Sequence, residues 1–263
     1  MTKKNKIQLR LRVFAGPNGS GKSTVIQYVR NYKINHNPID FGYYINADDI
    51  AQGLKSQPFN FAAFNITTTL SEFKTVVLES GLVNKEFPEP AFLNSFSLRK
   101  NMLRLKELAA VERVAQIIAD FLRKKLLLHR ERLSFETVFS HSSKIDIMRE
   151  AVAAGYKVYL YFVSTESPEI NIFRVEARKT KGGHDVPPDK IRSRYYRSLE
   201  LLYEASQLAY QTYFFDNSEE GKDFRMFAHY KMVGGKKKWD KIIKKEVPQW
   251  FIKYYSEKIL PKR

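Results

Sequence analysis

Residues Gly16 to Ser23 read G-P-N-G-S-G-K-S and fit the phosphate-binding pattern G-x-x-x-x-G-K-[ST] at every fixed position. Glycines in such a loop let the backbone approach an anion closely, where a Cβ would clash. Lys22 would supply a charge for the β- and γ-phosphates, and the Ser23 hydroxyl is a magnesium ligand. The alternative is a glycine-rich turn without a ligand. The complete motif favours an ATP and Mg²⁺ site formed by Gly16, Pro17, Asn18, Gly19, Ser20, Gly21, Lys22, Ser23 and Thr24.

The segments on either side of this loop support that interpretation. Residues 7–14 alternate apolar and polar side chains, which is typical of a strand, and residues 24–29 place apolar side chains at helical spacing. A strand, a glycine turn and a helix together aim backbone N–H groups and a helix N-terminus at a phosphate.

A second predicted strand, residues 41–46, ends next to Asp48. Ligands of open α/β sheets bind at the carboxyl ends of the strands, so a carboxylate there is a candidate for chemistry. Asp48 could accept a proton from an attacking hydroxyl, or hold magnesium through water. The alternative is that Asp48 or Asp49 caps a helix beginning near Ile50. We favour Asp48 over Asp49 as the reacting group.

A third predicted strand carries Glu136 and Thr137 within an apolar run. An unpaired carboxylate in such a strand is costly, so Glu136 needs a partner, either a substrate hydroxyl or a basic group. A buried salt bridge to an arginine is the open alternative. His141, just beyond the strand, could line the same pocket, although local hydrogen bonds explain a lone histidine more often.

Arginines lie on both sides of a glycine loop at residues 182–183. Transfer of a phosphoryl group builds charge on its equatorial oxygens, and arginines on a closing lid can neutralise that charge. Each one alone could be a solvated helix charge, whereas together they indicate a lid. These residues are Arg174, Arg178, Arg192, Arg194 and Arg197.

Strands alternate with helices along the chain, which predicts an α/β fold with a mostly parallel sheet flanked by helices. The P-loop makes it a P-loop NTPase domain. We expect this domain to span residues 1–233, with a helical insertion at about 53–130 that includes a long helix over 98–128. Residues 234–263 form a basic, aromatic-rich C-terminal extension, predicted to be a helix packed on the domain.

Composition restricts the class of protein further. Hydrophobic residues make up 43% of the 263 residues, which suits a globular protein, and no apolar run approaches the ~18 residues that span a bilayer. The basic N-terminus leads into a strand, so we expect no signal peptide. The absence of cysteine excludes disulfides and thiolate sites. These features favour a cytoplasmic protein without a membrane partner.

The net charge of +17 fits either a lysine-rich soluble surface, which we favour, or a surface that binds nucleic acid.

Several of these motifs together resemble the zeta toxin family of P-loop kinases, from about Leu9 to Ser218. The P-loop is widespread among NTPases, whereas its combination with the G-G-H-D-V-P loop and the R-Y-x-R-S-L helix is more specific. The residues that carry the resemblance are Gly16–Thr24, Asn46–Asp48, Phe135–Thr137, Gly182–Pro187, Arg194–Leu199 and Asp216–Ser218.

The resemblance implies a phosphotransferase that acts on a hydroxyl of a nucleotide sugar such as UDP-N-acetylglucosamine. It implies that Lys22 and Ser23 hold ATP and magnesium, that Asp48 is the general base, and that Arg178 and Arg174 stabilise the transferred phosphate. Founding members have a glycine between the strand glutamate and a threonine, whereas Thr137 directly follows Glu136 here. The residues predicted to contact the substrate are Glu136, Thr137, His141, His184, Arg194 and Arg197.

Other functions stay open at this point. Some members of the family pair with an antitoxin protein, so such a partner is one expectation. The positive charge leaves a polynucleotide or RNA kinase as an alternative acceptor class, and a non-enzymatic ATP-binding partner module is the third. The arginine-rich lid and the placed aspartate favour an enzyme over a module of this kind.

Overall fold

The computed structural model describes residues 8–180 and 186–259. In chain order these contain β1 (Arg10–Ala15), α1 (Lys22–Asn31), β2 (Lys33–Ile34), β3 (Asn37–Pro38), β4 (Tyr43–Ile45), α2 (Ala47–Leu54), β5 (Phe59–Asn60), α3 (Leu70–Leu78), α4 (Glu89–Asn94), β6 (Phe96–Arg99), β7 (Met102–Leu105), α5 (Val111–Leu128), β8 (Leu133–Thr137), α6 (Ser143–Ala153), β9 (Lys157–Ser164), α7 (Pro168–Lys179), α8 (Pro188–Glu200), α9 (Leu202–Leu208), β10 (Gln211–Asp216), β11 (Arg225–Val233), β12 (Lys236–Trp239) and α10 (Gln249–Phe251). A π-helical turn (Ile252–Ser256) and α11 (Glu257–Ile259) continue α10, and we call the three pieces the C-terminal helix.

The described residues divide into two compact units. The first takes in residues up to Phe41 and from Ser134 onwards, and the second is Gly42–Leu133. Within the first unit, strands of the central sheet lie in the order β12-β11-β10-β9-β1-β8. The pairs β1–β9 and β9–β10 are parallel, whereas β10–β11 and β11–β12 are antiparallel. The predicted fold class, a mostly parallel sheet flanked by helices, is confirmed.

Strand β9 is at the centre of the first unit because its sequence is apolar almost throughout. Leu160, Phe162 and Val163 are at most 1% exposed. A strand buried on both faces needs such a continuous apolar run. Helices α6 and α9 pack against it. Residues 188–208 form two helices, α8 and α9, which are separated at Leu201.

The second unit has more strand than the sequence analysis predicted. The long helix expected over 98–128 begins only at Val111, and residues 96–105 form the antiparallel hairpin β6–β7, with β5 paired to β7. Lys100 and Asn101 take positive φ angles of 49° and 64°, as a tight hairpin turn requires. Burial also alternates along β6, where Phe96 and Leu98 are buried and Arg99 is exposed. The helical prediction for 98–105 was therefore wrong.

The C-terminal extension also differs from its prediction. Residues after Gly234 were expected to form a helix, but Lys236–Trp239 is the strand β12, which pairs with β11 through a turn at Gly234 and Gly235. Both glycines have positive φ, 56° and 76°, which glycine adopts without steric cost. A short 3-10 helix forms at Lys244–Glu246, and α-helix begins at Gln249, where Trp250, Phe251 and Tyr255 are buried. In the described part of the chain, no helix has the length and apolarity needed to span a bilayer.

Candidate active site

The segment Gly16–Gly21 connects the end of β1 to the start of α1, so the predicted strand, glycine loop and helix are confirmed. Its glycines lie where side chains cannot fit. A Cβ on Gly16 would lie 2.0 Å from the carbonyl oxygen of Val163, and one on Gly19 would lie 2.5 Å from that of Asn171. Gly21 has φ +94°, and its Cβ would lie 2.2 Å from Nδ2 of Asn217. Neighbouring backbone and side chains therefore fix the shape of the loop.

The loop also contains a buried polar atom without a protein partner. Ser20 is 0% exposed, and its Oγ makes no hydrogen bond within residues 8–180 and 186–259. A buried hydroxyl without a partner is costly, and a bound anion would satisfy it. Ser23 and Thr24, in the first turn of α1, are exposed. The loop residues therefore fit the phosphates of a nucleotide, and the exposed Ser23 hydroxyl fits a magnesium ion that is held mainly by those phosphates.

Lys22 is buried at the start of α1, with 7% of its surface exposed. Its Nζ donates a hydrogen bond to the carbonyl oxygen of Pro17 at 3.0 Å and lies 3.8 Å from Oε1 of Glu136. The structure therefore brings together two residues that the sequence singled out separately, the P-loop lysine and the carboxylate at the end of β8. Glu136 has the basic neighbour that its place in an apolar strand requires.

A second set of contacts holds the loop from the end of β10. Nδ2 of Asn217 donates to the carbonyl oxygen of Ser20 at 2.9 Å. Arg174 donates through Nη1 to the carbonyl oxygen of Asn217 at 2.6 Å and through Nη2 to that of Glu219 at 3.3 Å. Arg174 therefore stabilises the segment that supports the P-loop. Its role toward a transferred phosphate stays a prediction.

The remaining arginines of the predicted lid differ in their surroundings. Arg194 is half-buried, and its Nη1 lies 3.5 Å from Oδ1 of Asn18 in the P-loop. Arg178 is exposed in the last turn of α7. Arg197 is exposed and donates to the carbonyl oxygen of Ser193 at 3.4 Å, within its own helix. Arg192 is exposed and donates through Nη2 to Oε1 of Glu169 at 3.1 Å. Among the five lid arginines, Arg194 and Arg174 are the ones with a described contact to the P-loop or its support. The predicted residue His184 lies outside the described residues.

His141 and Thr137 have local partners. The N–H of Ser143 donates to Nδ1 of His141 at 3.2 Å, at the start of α6. The N–H of Phe139 donates to Oγ1 of Thr137 at 3.1 Å, where Phe139 takes a positive φ of 60°. His141 therefore has the local hydrogen bonds that the sequence analysis favoured over a place in the pocket. Substrate contact by either residue stays a prediction.

Asp48 belongs to the second unit and lies in the first turn of α2. The helix begins at Ala47, and its N-cap is Asn46, whose Oδ1 accepts a hydrogen bond from the N–H of Asp48 at 2.9 Å. The alternative in which Asp48 caps a helix near Ile50 is therefore wrong. The carboxylate of Asp48 is exposed and accepts no hydrogen bond from the described residues.

Sequence reasoning did not predict which residues support the loop from behind, although Tyr195 and Asn217 lie within motifs that it quoted. Oγ1 of Thr165 donates to Oδ1 of Asn171 at 2.6 Å, and the hydroxyl of Tyr195 donates to the carbonyl oxygen of Thr165, also at 2.6 Å. Burial raises the pKa of Tyr195 well above its usual value, so the hydroxyl stays a donor. Asn171 in turn contacts Gly19. The signal that could have found Asn217 is its place just after β10, at the carboxyl edge of the sheet.

The C-terminal helix is attached to the same edge. Oε1 of Glu166 accepts a hydrogen bond from the N–H of Gln249 at 2.8 Å, and its Oε2 accepts one from the N–H of Trp250 at 3.3 Å. The indole N–H of Trp250 donates to Oδ1 of Asp216 at 2.9 Å. Glu166 and Asp216 therefore cap and anchor this helix beside the segment that supports the P-loop.

No family model matches this chain. An uncharacterized protein of Haemophilus influenzae is 35% identical over 60 residues, which are 23% of this chain and 43% of that protein. A chain of the AvrRxo1-ORF1:AvrRxo1-ORF2 complex, solved with sulphate ions, has a TM-score of 0.49 and 18% identity. The match covers 88% of this chain and 60% of that one.

Two further solved structures have lower scores. One belongs to the PezAT chromosomal toxin–antitoxin system of Streptococcus pneumoniae, with a TM-score of 0.46, 14% identity and coverage of 82% of this chain and 71% of that one. The other is a putative kinase from Chloroflexus aurantiacus, with a TM-score of 0.41, 11% identity and coverage of 72% and 79%. The chain thus spans 60% of the AvrRxo1 complex chain and less than half of the H. influenzae protein.

Proposed function

We propose that this protein is an ATP- and magnesium-dependent phosphotransferase that moves the γ-phosphate to a hydroxyl group of a small molecule. The observation that carries the proposal is the buried Lys22, which lies 3.8 Å from Glu136 within a loop whose glycines are fixed by their neighbours. A turn without a ligand needs neither a buried lysine nor a buried hydroxyl without a partner. Both are features of a site that receives phosphate groups.

On the nucleotide side, the loop backbone from Gly16 to Gly21 and the N-terminus of α1 would receive the β- and γ-phosphates. The Nζ of Lys22 would exchange its contact with the Pro17 carbonyl for the phosphate oxygens. The hydroxyl of Ser23 would contribute one ligand to Mg²⁺. When bound, this ion neutralises charge on the β- and γ-phosphates.

In the proposed reaction, a bond forms between the acceptor oxygen and the γ-phosphorus as the bond to the β–γ bridging oxygen breaks. The acceptor proton passes to Asp48, and ADP leaves. Lys22 and the arginines at 174, 178 and 194 would stabilise charge on the transferred group. The carboxylate of Asp48 is exposed, and it does not cap α2 because Asn46 is the N-cap. Both observations support its proposed role as the base.

The proposed acceptor is a nucleotide sugar, with UDP-N-acetylglucosamine as the first candidate. The zeta toxin resemblance suggests this class, in which Glu136, Thr137, His141, His184, Arg194 and Arg197 would contact the acceptor. A carboxylate beside the reacting lysine can orient a sugar hydroxyl by accepting its hydrogen bond. An antitoxin-type protein partner and a cytoplasmic location remain predictions of the same resemblance and composition.

The test is incubation of the protein with γ-labelled ATP and magnesium against a panel headed by UDP-N-acetylglucosamine and including RNA and DNA. Lys22→Ala should abolish labelling, whereas Lys33→Ala, in the exposed hairpin β2–β3, should leave it unchanged. Asp48→Ala should bind ATP but lose transfer by several powers of ten, with Asp49→Ala as the matched variant. Binding of ATP without label on any acceptor would overturn the proposed transfer.

A further inference from the structure

One face of the central sheet carries a row of cationic and aromatic side chains remote from the P-loop. Directly opposed residues form a continuous row from β9 to β12, which is Tyr159, Gln211, Lys231 and Lys238. Opposed residues on neighbouring strands point to the same face of a sheet. Lys157 and Lys236 lie two positions along from Tyr159 and Lys238, so they share that face.

Tyr210 lies beside the lysines of this face. Nζ of Lys157 lies 4.5 Å from the centre of the Tyr210 ring, and Nζ of Lys231 lies 5.7 Å from it. The rings of Tyr159 and Tyr210 are 5.8 Å apart and nearly perpendicular. We call this set of residues the cationic face: Lys157, Tyr159, Tyr210, Lys231, Lys236 and Lys238.

The charge of the cationic face is not balanced by neighbouring carboxylates. Lys231, Lys236 and Lys238 are exposed and form no ion pair with the described residues. Lys231 and Lys238 are opposed across β11 and β12, an arrangement of like charges that destabilises a strand pair. Residues 231–245 contain seven lysines and one acidic residue, Asp240. The carboxylate of Asp240 already lies 2.9 Å from Nδ1 of His229. A bound polyanion would relieve this repulsion.

The spacing of the cations fits an extended chain of phosphates better than one small anion. From β9 to β12 the row crosses three strand spacings, about 14 Å. Partly exposed tyrosine rings beside phosphate-binding lysines are the combination that single-stranded nucleic acids use, with bases on the rings and phosphates on the cations. An acidic protein segment offers charge but has no bases to stack on Tyr159 and Tyr210.

We infer that the cationic face binds single-stranded nucleic acid. Strand β9 runs from Lys157 to Ser164, and the P-loop lies at its carboxyl end, where Val163 contacts Gly16. Along β9, Val163 is about 13 Å from Tyr159 and about 20 Å from Lys157, so the two sites lie apart. The inference does not depend on the proposed phosphate transfer, because it uses neither the P-loop nor its lysine.

The experiment measures anisotropy of a labelled oligouridylate of about 12 nucleotides as a function of salt. Lys231→Gln, Lys236→Gln and Lys238→Gln together should weaken binding on the order of tenfold and reduce the slope of log affinity against log salt by about 2. The matched triple variant replaces Lys241, Lys244 and Lys245, which are equally exposed but lie beyond β12. Equal losses in both triple variants would show a response to net charge alone and would overturn the inference.

Tyrosine variants separate nucleic acid from an acidic protein. Tyr210→Leu should weaken oligouridylate binding about fivefold or more by removing stacking, and Tyr210→Phe should restore it. Neither change should alter binding of polyglutamate. Loss of oligouridylate binding in Tyr210→Phe as well, or polyglutamate affinity equal to that of oligouridylate, would contradict recognition of bases. For each variant, the unfolding midpoint shows whether the fold is intact. ATP binding that depends on Lys22 shows whether the P-loop is intact.

Discussion

The side-chain amide of Asn217 donates a hydrogen bond to the carbonyl oxygen of Ser20 at 2.9 Å, joining the end of β10 to the P-loop. The backbone N–H of Asn217 also donates to the carbonyl oxygen of Ser164 at 2.9 Å. Asn217 is therefore tied to β9 through its backbone and to the loop through its side chain. Its position controls where the Ser20 peptide lies, and Ser20 contains the buried hydroxyl that a phosphate would satisfy.

We expect Asn217→Asp to weaken ATP binding by about fivefold to tenfold. The substitution keeps the shape of the side chain but removes the donor to Ser20, and a net hydrogen bond contributes about 1 kcal/mol. The added negative charge opposes phosphate as well, so Asn217→Ala is the second variant. Calorimetric titration of ATP measures both. Asn37→Ala, whose amide donates to the carbonyl oxygen of Asn35 in an exposed hairpin, is the control. Unchanged ATP affinity in both Asn217 variants would contradict a positioning role.

Gly21→Ala should abolish ATP binding while the protein still folds. Its φ of +94° is unfavourable for alanine, and the new Cβ would lie 2.2 Å from Nδ2 of Asn217. Gly155→Ala is a matched control, because Gly155 has a φ of +83° and a Cβ added there would have no neighbouring atom within 4 Å. Both variants should lose about 1–2 kcal/mol of stability through backbone strain. Only Gly21→Ala should lose ATP, and adding Asn217→Ala should restore part of the binding if the clash is the cause.

The sequence predicts the nucleotide loop well because its signal is local. Gly16, Gly21 and Lys22 are spaced along one short segment, and the shape of that segment depends on the residues themselves. The buried strand β9 can also be predicted from its sequence, since a continuous apolar run is typical of a strand that is buried on both faces. In contrast, residues 98–105 of the hairpin were predicted as helix, because leucine fits both the helical and the strand period. Pairing of β7 with β5 selects the strand.

Contacts distant in sequence explain what else was missed. Asn217 and Ser20 are 197 residues apart, and no local pattern links them. The sequence left the partner of Glu136 open between a substrate hydroxyl and a basic group, and only the sheet order, with β8 beside β1, brings that carboxylate to Lys22. Strand β12 was not predicted because it lies within a run of lysines. Its apolar neighbours come from β11 and the C-terminal helix, which are not visible in its own sequence.

The contact between Lys22 and Glu136 allows a test of whether Glu136 binds the acceptor or only holds Lys22 in place. If Glu136 binds the acceptor, Glu136→Gln should raise the KM for the acceptor about tenfold or more and change ATP affinity by less than threefold, since one charged hydrogen bond contributes about 1.5–3 kcal/mol. If Glu136 serves only to hold Lys22, ATP affinity should change and the acceptor KM should not. Initial rates with each substrate varied in turn distinguish the two results. Glu169→Gln, an exposed residue of α7 that pairs with Arg192, is the control.

The anchor of the C-terminal helix should contribute measurably to stability. Trp250→Phe removes the hydrogen bond from the indole N–H to buried Asp216, and we expect a loss of about 2 kcal/mol and a midpoint lower by about 4–8 °C. Trp239→Phe is the matched variant, because its indole N–H has no hydrogen bond to the described residues. Thermal unfolding of both variants makes the comparison. Equal shifts would mean that ring volume, rather than the bond to Asp216, is responsible.

The ammonium group of Lys237 lies among tyrosines on the opposite face of β12 from Lys236 and Lys238. Its Nζ donates to Oε1 of Gln207 at 2.9 Å and to the Tyr255 hydroxyl at 3.0 Å, and it lies 4.8 Å from the centre of the Tyr230 ring. Burial lowers the pKa of Lys237 to about 8. Tyr230 and Tyr255 do not titrate in this range, since burial raises the pKa of Tyr230 to about 12 and that of Tyr255 further.

A lysine whose pKa is lowered by folding binds fewer protons in the folded state, so stability rises with pH between the folded and unfolded pKa values. The wild type should therefore gain stability relative to Lys237→Gln between pH 8 and pH 10, the range below tyrosine ionisation in the unfolded chain. The full effect is about 1.4 kcal/mol per pH unit, and because Lys237 is half-exposed we expect about 0.5 kcal/mol per unit. Urea unfolding at each pH gives these values. Lys236→Gln, exposed on the other face, should show no such difference. A flat difference for Lys237→Gln would mean that attraction to the tyrosine rings outweighs burial and keeps the ammonium charged.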